Sequence, residues 1–438
     1  ALDAAVTGAN NVAIGKEALT TNTSGHSNTG VGHEALKANT TAAYNTAIGN
    51  QTLDLNTTGD HNTAVGSDAM GSNTTGTRNV AVGSLALDAN TTANDNVAIG
   101  YNALTDNTTG NQQVAVGSFA LTNNTSSTHN TAVGYVAMHE NTTGYNNTGI
   151  GKGSLYSNTT GNTNTAVGCD ALNANTTSSH NTAVGESALQ LNTGASNTAM
   201  GSGAMDANTT GTLNVAVGRS ALGANTTGNE NTSVGAESLE ANTTGQQNCA
   251  FGFRTLEDNN ADHNTALGHE AMKENTTGSE NVAVGANALT SNTTANRNTA
   301  VGFDALLSNS TGDENVAVGH YALRANTTGI ENTALGQSAL VTNTTGQYNV
   351  AVGVTALSSI TNGDYNTAIG YYALSAITTA DNSIALGAGA LQELTTGVGN
   401  VAIGRAAMNV HGTGDYNIAI GYHALKGAAF AGNPIEQD

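Results

Sequence analysis

A glycine recurs along almost the whole chain at a spacing of 17 residues, from Gly15 to Gly421. There are 25 such glycines, and only the intervals that end at Gly201 and Gly268 are one residue short. With the glycine counted as position 1, the consensus is G-x-x-A-L-x-x-N-T-T-G-x-x-N-T-A-V, as in residues 32–48 (GHEALKANTTAAYNTAI). A fixed period of this kind is the signature of stacked structural units, so the chain is read as one repeat array.

Most positions of the repeat accept a narrow set of residues. Position 5 is always Leu or Met, position 17 is always apolar, and position 16 is Ala in 22 of 25 repeats. Position 14 is Asn in 23 of 25, with Gln113 and Ser383 as the exceptions. Charged residues of the repeats occur only at positions 2, 3, 6, 7, 12 and 13. Because charged side chains are rarely buried, these positions are expected to face water and the others to be enclosed.

The length of the repeat predicts the fold. Seventeen residues are too few for a pair of helices, and the apolar positions lack a period of 3.6. The segments N-T-A-V-G and A-L-x-x-N are typical of two short strands, with turns at G-x-x and N-T-T-G. One coil per repeat, stacked at about 4.8 Å, predicts an all-β fold, a β-solenoid or β-roll of about 25 coils and roughly 120 Å. The array is expected to span residues 1–426, followed by a C-terminal tail at 427–438.

Like side chains in successive coils are expected to form ladders that satisfy buried polar groups. In the last strand of the repeat, positions 15 and 17 share one face, and positions 14 and 16 share the other. Since position 16 is restricted to Ala, Gly or Ser, both faces are expected to be buried, one inside the coil and the other in a small lumen or against a neighbouring chain. The ladder residues expected from this pattern are Asn28, Asn45, Asn62, Asn79 and Asn96 at position 14, Leu36, Leu53 and Leu87 at position 5, and Val65 and Val82 at position 17.

Position 8 changes character along the chain. It is Asn in most repeats but becomes Ile360, Ile377, Leu394, His411 and Ala428 in the last five. This drift favours a side chain that points into the coil, and the alternative is that the last coils contact a partner. The position-8 Asn also opens N-T-T, N-T-S or N-S-T glycosylation sequons, with Asn39, Asn73 and Asn208 as candidate sites. Because a glycan needs an exposed turn, the drift to Ile favours a structural role instead.

Composition excludes several classes of protein. A net charge of −21 with 11 Lys and Arg argues against nucleic acid as a partner, and no apolar run is long enough for a membrane span. Cys169 and Cys249 lie about five coils, or roughly 24 Å, apart and cannot pair within a chain. Acidic residues scatter over six positions of the repeat, which predicts no metal site and no cofactor. With no set of nucleophile, base and orienting acid, no enzymatic activity is expected.

The N-T-A-V-G-x-x-A-L rhythm, seen as NTAVGSDAM at 62–70 and NTAVGFDAL at 298–306, resembles the head repeats of YadA-like trimeric autotransporter adhesins. It is also similar to repeats of some phage tail fibres. The first resemblance implies a left-handed parallel β-roll, three chains packed side by side, and a surface that binds host matrix. The repeat in this chain is longer, with N-T-T-G as an extra turn.

These observations predict a non-enzymatic structural fibre or adhesin shaft, located outside the cell or at its surface. The expected partners are other copies, as a homotrimer or a head-to-tail polymer, and a host or surface receptor. In the polymer, Phe430, Pro434 and Ile435 of the tail are the candidate contacts between subunits. The alternatives are a phage tail-fibre shaft and an ice- or surface-binding solenoid that uses its regular Thr residues.

Overall fold

The computed structural model describes residues 7–409 and 412–426. Within these residues there is no helix, and one three-residue strand occurs in each repeat. The chain forms two compact units, Ala1–Asn214 and Val215–Asp438. The first contains β1 (Val12–Ile14), β2 (Thr29–Val31), β3 (Thr46–Ile48), β4 (Thr63–Val65), β5 (Val80–Val82), β6 (Val97–Ile99), β7 (Val114–Val116), β8 (Thr131–Val133), β9 (Thr148–Ile150), β10 (Thr165–Val167), β11 (Thr182–Val184) and β12 (Thr198–Met200). The second contains β13 (Val215–Val217), β14 (Thr232–Val234), β15 (Cys249–Phe251), β16 (Thr265–Leu267), β17 (Val282–Val284), β18 (Thr299–Val301), β19 (Val316–Val318), β20 (Thr333–Leu335), β21 (Val350–Val352), β22 (Thr367–Ile369), β23 (Ile384–Leu386), β24 (Val401–Ile403) and β25 (Ile418–Ile420).

Within each unit, each strand pairs in parallel with the strand one repeat further on, and like positions lie opposite each other. In the first unit Thr46 lies opposite Thr63, and in the second Val215 lies opposite Thr232. Between the strands, Thr46 N donates to Asn62 O at 2.9 Å. The predicted all-β solenoid, with one 17-residue coil per repeat, is therefore confirmed.

The prediction of a second strand at A-L-x-x-N is wrong, because this segment is a turn. Glu34 at position 3 and Leu36 at position 5 both have left-handed backbone, with φ of 59° and 54°. That conformation costs about 1–2 kcal/mol for a residue with a side chain. Neighbouring coils hold it in place, since Leu36 N donates to Thr52 O and Glu34 N donates to Lys16 O. The turn directs the position-5 side chain into the coil.

Glycine at position 1 is required by two features at once. Gly83 has a φ of 138°, which side-chain-bearing residues rarely adopt. A Cβ added to Gly83 would lie only 2.4 Å from Gly100 O in the next coil. The period of the sequence therefore marks a place where the backbone of the next coil lies too close for a side chain.

Positions 4, 5 and 16 form the mainly apolar part of the interior of each coil. The predicted ladder residues Leu36, Leu53 and Leu87 are fully buried, as are Ala35 and Ala47. The residue at position 16 is small because it packs against position 5 of its own coil. A Cβ on Gly149 would lie 2.9 Å from Cγ of Met138, the position-5 residue of that coil.

The predicted assignment of the strand faces is corrected by the structure. Positions 14 and 16 point into the coil, whereas positions 15 and 17 point out of it. Val65 is half-buried and Val82 is 37% exposed, so these two line the outside rather than the interior. The small residue at position 16 thus reflects the narrow inside of the coil, not a neighbouring chain.

Candidate functional site

The asparagines at position 14 form a buried ladder in which side chains bind the backbone of the next coil. Asn45 Oδ1 accepts from Asn62 N at 2.9 Å, and Asn45 Nδ2 donates to Gly59 O at 2.9 Å. Some rungs add an amide-to-amide bond, as from Asn79 Nδ2 to Asn62 Oδ1 at 3.2 Å. The predicted ladder members are all buried: Asn28, Asn45, Asn62, Asn79 and Asn96.

A second ladder runs through position 8, and here the side-chain amides bond directly to one another. Asn73 Nδ2 donates to Asn56 Oδ1 at 2.8 Å and to Gly76 O of its own turn at 3.1 Å. The prediction that position 8 points inward is confirmed, since these asparagines are fully buried. The apolar residues that replace them, Ile360, Ile377 and Leu394, are buried too, while His411 and Ala428 lie outside the described residues.

The three candidate glycosylation sites belong to this second ladder. Asn39, Asn73 and Asn208 have no exposed surface. Asn208 Nδ2 donates to Asn192 Oδ1 at 2.6 Å and to Gly211 O at 3.0 Å, which uses both of its protons. The folded coil therefore has no room for a sugar on these side chains, and the sequon interpretation is wrong for this conformation.

The outer strand face consists of the side chains at positions 15 and 17, and it carries no charge although it faces outward, with an apolar residue at position 17 of every repeat. Ile48, Ile99 and Met200 of the first unit are 41%, 40% and 48% exposed. In all 25 repeats these positions hold only Thr, Val, Ile, Leu, Met, Phe or Cys. Charges are common at positions 12 and 13 of the same coils, so their exclusion here is specific to this face. The constancy of position 17 is visible in the sequence and predicts an interior position, whereas the structure places these side chains on the outside.

The charged positions form ion pairs along the coils. Glu237 is the centre of one network, bound by Arg219 and, at 2.7 Å, by Arg254. These two guanidinium groups lower the pKa of Glu237. Burial, together with the carboxylates of Glu237 and Glu257, raises the pKa of Glu240.

Glu237, Glu240 and Glu257 bring carboxylate oxygens within 4.8 Å of one another, which is close enough to share a cation. Arg254 and Lys273 already lie near Glu257, at 3.8 and 3.7 Å. The group is therefore a network of ion pairs that balances its own charge.

The Thr residues at position 9 form hydrogen bonds between coils. Both N and Oγ1 of Thr57 donate to Thr74 O, so this Thr array binds the backbone of the next coil. Cys169 and Cys249 are both free thiols, and burial raises the pKa of each. The tail contacts Phe430, Pro434 and Ile435 lie outside the described residues, so head-to-tail polymerisation stays a prediction.

No protein-family model matches the chain, and no curated protein matches it either. The resemblance to YadA-like head repeats and to tail fibres therefore stays a prediction. Within the described residues, nothing forms a helix that could cross a bilayer.

Proposed function

We propose that this protein is a non-enzymatic structural fibre or adhesin shaft outside the cell, in which copies pack side by side through the outer strand face. The observation that carries the proposal is the outward-facing apolar residue at position 17 of every coil, on a face that holds no charged residue. Exposed apolar patches of this extent are typical of interaction sites. Two buried asparagine ladders and an unbroken run of parallel strands in each unit support the role of a stiff shaft.

The size of the face is suitable for self-association. Twelve strands of three residues in the first unit give an area of about 10 Å by 58 Å, or roughly 580 Å². A standard stable interface buries about 800 Å² on each partner. The second unit presents a face of the same kind with thirteen strands, so each unit taken by itself offers an area that approaches this value.

The repeat itself favours a second copy as the occupant. The outer strand face repeats at the strand spacing of about 4.8 Å. A partner that contacts many coils in the same way must carry a matching repeat, and this chain has one. Val, Ile, Leu, Met and Phe vary at position 17, which suits side-chain packing better than the fixed lattice of ice.

The test is a charge scan with a matched control. Val116→Lys, Val133→Lys and Ile150→Lys together place three charges on the outer strand face. Gln112→Lys, His129→Lys and Asn146→Lys place the same charges on exposed positions of the same three coils. Light scattering should show a multimer for the wild type and for the control variant, and a folded 43.7 kDa monomer for the face variant. A monomeric wild type, or a face variant that keeps the wild-type mass, would overturn the side-by-side packing.

A further inference from the structure

Asn362 and Gly363 form the only Asn-Gly pair in the chain, and they lie at positions 10 and 11 of one repeat. Apart from the last repeat, which begins at Gly421, every other full-length repeat has Thr or Ser at position 10. Asn362 is exposed on the turn. Glycine is the residue that least hinders the backbone nitrogen after an asparagine, because it has no side chain.

The amide nitrogen of Gly363 is free of hydrogen bonds within the described residues. In the repeat of Gly110 the corresponding nitrogen donates to Asn107 Oδ1, the position-8 side chain, at 3.1 Å. Here position 8 is Ile360, which has no acceptor, and its Cδ1 lies 2.8 Å from the point where a Cβ on Gly363 would be. Other position-11 nitrogens, such as those of Gly329 and Gly346 beside Asn326 and Asn343, also make no hydrogen bond within the described residues, so this site is set apart by the exposed asparagine that precedes its glycine.

A second exposed asparagine in the next coil shows the opposite arrangement. Asn382 precedes Ser383, another small residue, but Ser383 N donates to Asn366 Oδ1 at 3.0 Å. Its nitrogen is therefore held by the position-14 ladder. Asn362 and Asn382 are both exposed, but only Asn382 is followed by a backbone nitrogen that donates a hydrogen bond.

We propose that Asn362 is a site of spontaneous, enzyme-independent modification in the folded protein. Gly363 N loses its proton to solvent and attacks Cγ of Asn362, so a C–N bond forms, the Cγ–Nδ2 bond breaks and ammonia leaves. Water then opens the succinimide at either carbonyl and gives aspartate or isoaspartate. Aspartate adds a negative charge two residues from Asp364, and isoaspartate lengthens the main chain of the coil by one carbon.

The modification would act on a bond that joins two coils. Thr361 N and Oγ1 both donate to Thr378 O, at 2.9 and 3.1 Å. The extra carbon of isoaspartate directly follows this residue and changes the register of the turn. This coil would therefore loosen with age, while the neighbouring coils keep their stacking.

The test follows deamidation by peptide mass mapping and isoaspartate methylation. Folded full-length protein and a sample unfolded in urea are incubated side by side in mildly alkaline buffer. In the folded sample Asn362 should react within about tenfold of its unfolded rate, and Asn382 should react only in the unfolded sample. Asn362→Thr, which restores the consensus, should fold like the wild type and show no change in this peptide. An Asn362 that reacts only when the chain is unfolded would overturn the proposal.

Discussion

Ile360 lies one coil beyond Asn343 at position 8, and it ends the ladder of side-chain amides there. Asn343 Nδ2 donates backward to Asn326 Oδ1 at 3.0 Å. Asn343 Oδ1 is buried and accepts no hydrogen bond within the described residues. The ladder thus ends with one unsatisfied acceptor, and aliphatic packing continues from Ile360 onward.

The end of the position-8 ladder predicts that an Asn→Ile substitution lowers the free energy of unfolding by different amounts in two adjacent coils. Asn326→Ile removes the donor to Asn309 Oδ1 and the acceptor of Asn343 Nδ2, so it should lower the free energy of unfolding by about 1–3 kcal/mol. Asn343→Ile moves the unsatisfied acceptor back by one coil, removes a bond to Gly346 O that still accepts from Asn332 Nδ2, and adds apolar burial, so it should cost less than about 1 kcal/mol. Hydrogen exchange of the amides in these coils measures both. Equal loss of protection in the two variants would show that the ladder bonds contribute no stability.

A second pair of variants separates the ladder role of Asn73 from its sequon. Asn73→Ala removes bonds to Asn56 and Gly76 and takes away one of the two acceptors of the Asn90 amide. It should therefore destabilise the protein by about 1–3 kcal/mol. Thr75→Ala destroys the same sequon at an exposed position and should stay within about 0.5 kcal/mol of the wild type. Thermal unfolding followed by circular dichroism checks both, and equal midpoints for the two variants would contradict the ladder role.

Position 1 should be intolerant of any side chain. Gly83→Ala introduces strain at a φ of 138° and places Cβ 2.4 Å from Gly100 O, so a loss of more than about 2 kcal/mol is expected. Ser84→Ala at the next position serves as the control and should have little effect. Denaturant unfolding of the two variants provides the measurement. A Gly83→Ala protein as stable as the control would mean that the close approach of the coils can relax.

The half-buried carboxyl groups predict an acid-dependent gain in stability. Burial raises the pKa of Asp88, with a further contribution from Asp68. The folded pKa lies above the unfolded one, so the charged form costs stability at neutral pH. That cost disappears as the pH falls through the raised folded pKa toward the ordinary one. Asp88→Asn should therefore raise the unfolding midpoint at pH 7 and leave it unchanged below the ordinary pKa of Asp.

Asp95 should behave in the opposite way. Its hydrogen bonds with Arg78, at 2.6 and 3.0 Å, hold the pKa of this carboxyl below its usual value. The stability that the pair contributes is present above the ordinary pKa and is lost as the pH falls through the lowered one. Asp95→Asn should then lower the midpoint slightly at pH 7. If Asp88→Asn and Asp95→Asn shift the midpoint in the same direction, the electrostatic assignment of one of them is wrong.

The strand and the two ladders could be predicted from the sequence because each depends on identity between repeats. Residues one period apart occupy the same place in adjacent coils, so the period alone predicts that Asn45 and Asn62 lie next to each other. The inward direction of position 8 was also readable, because Ile360 and Ile377 replace Asn without any compensating change.

The turn at positions 3–5 could not be predicted in the same way. A-L has the composition of a short strand, and the left-handed backbone of Leu36 is stable only because the next coil accepts its amide proton. A single repeat therefore carries no signal for it.

The period by itself determined that this chain is a solenoid and which residues stack, because every coil must pack against a neighbouring coil of nearly the same sequence. Only the tertiary structure decided which side of the strand is inside. The alternation of positions 14 to 17 allows either choice, and the choice depends on the width of the closed coil. The position-5 side chains, such as Met138 and Leu36, occupy most of that width. Only a residue as small as Ala fits beside them at position 16, so the larger Val at position 17 lies on the surface.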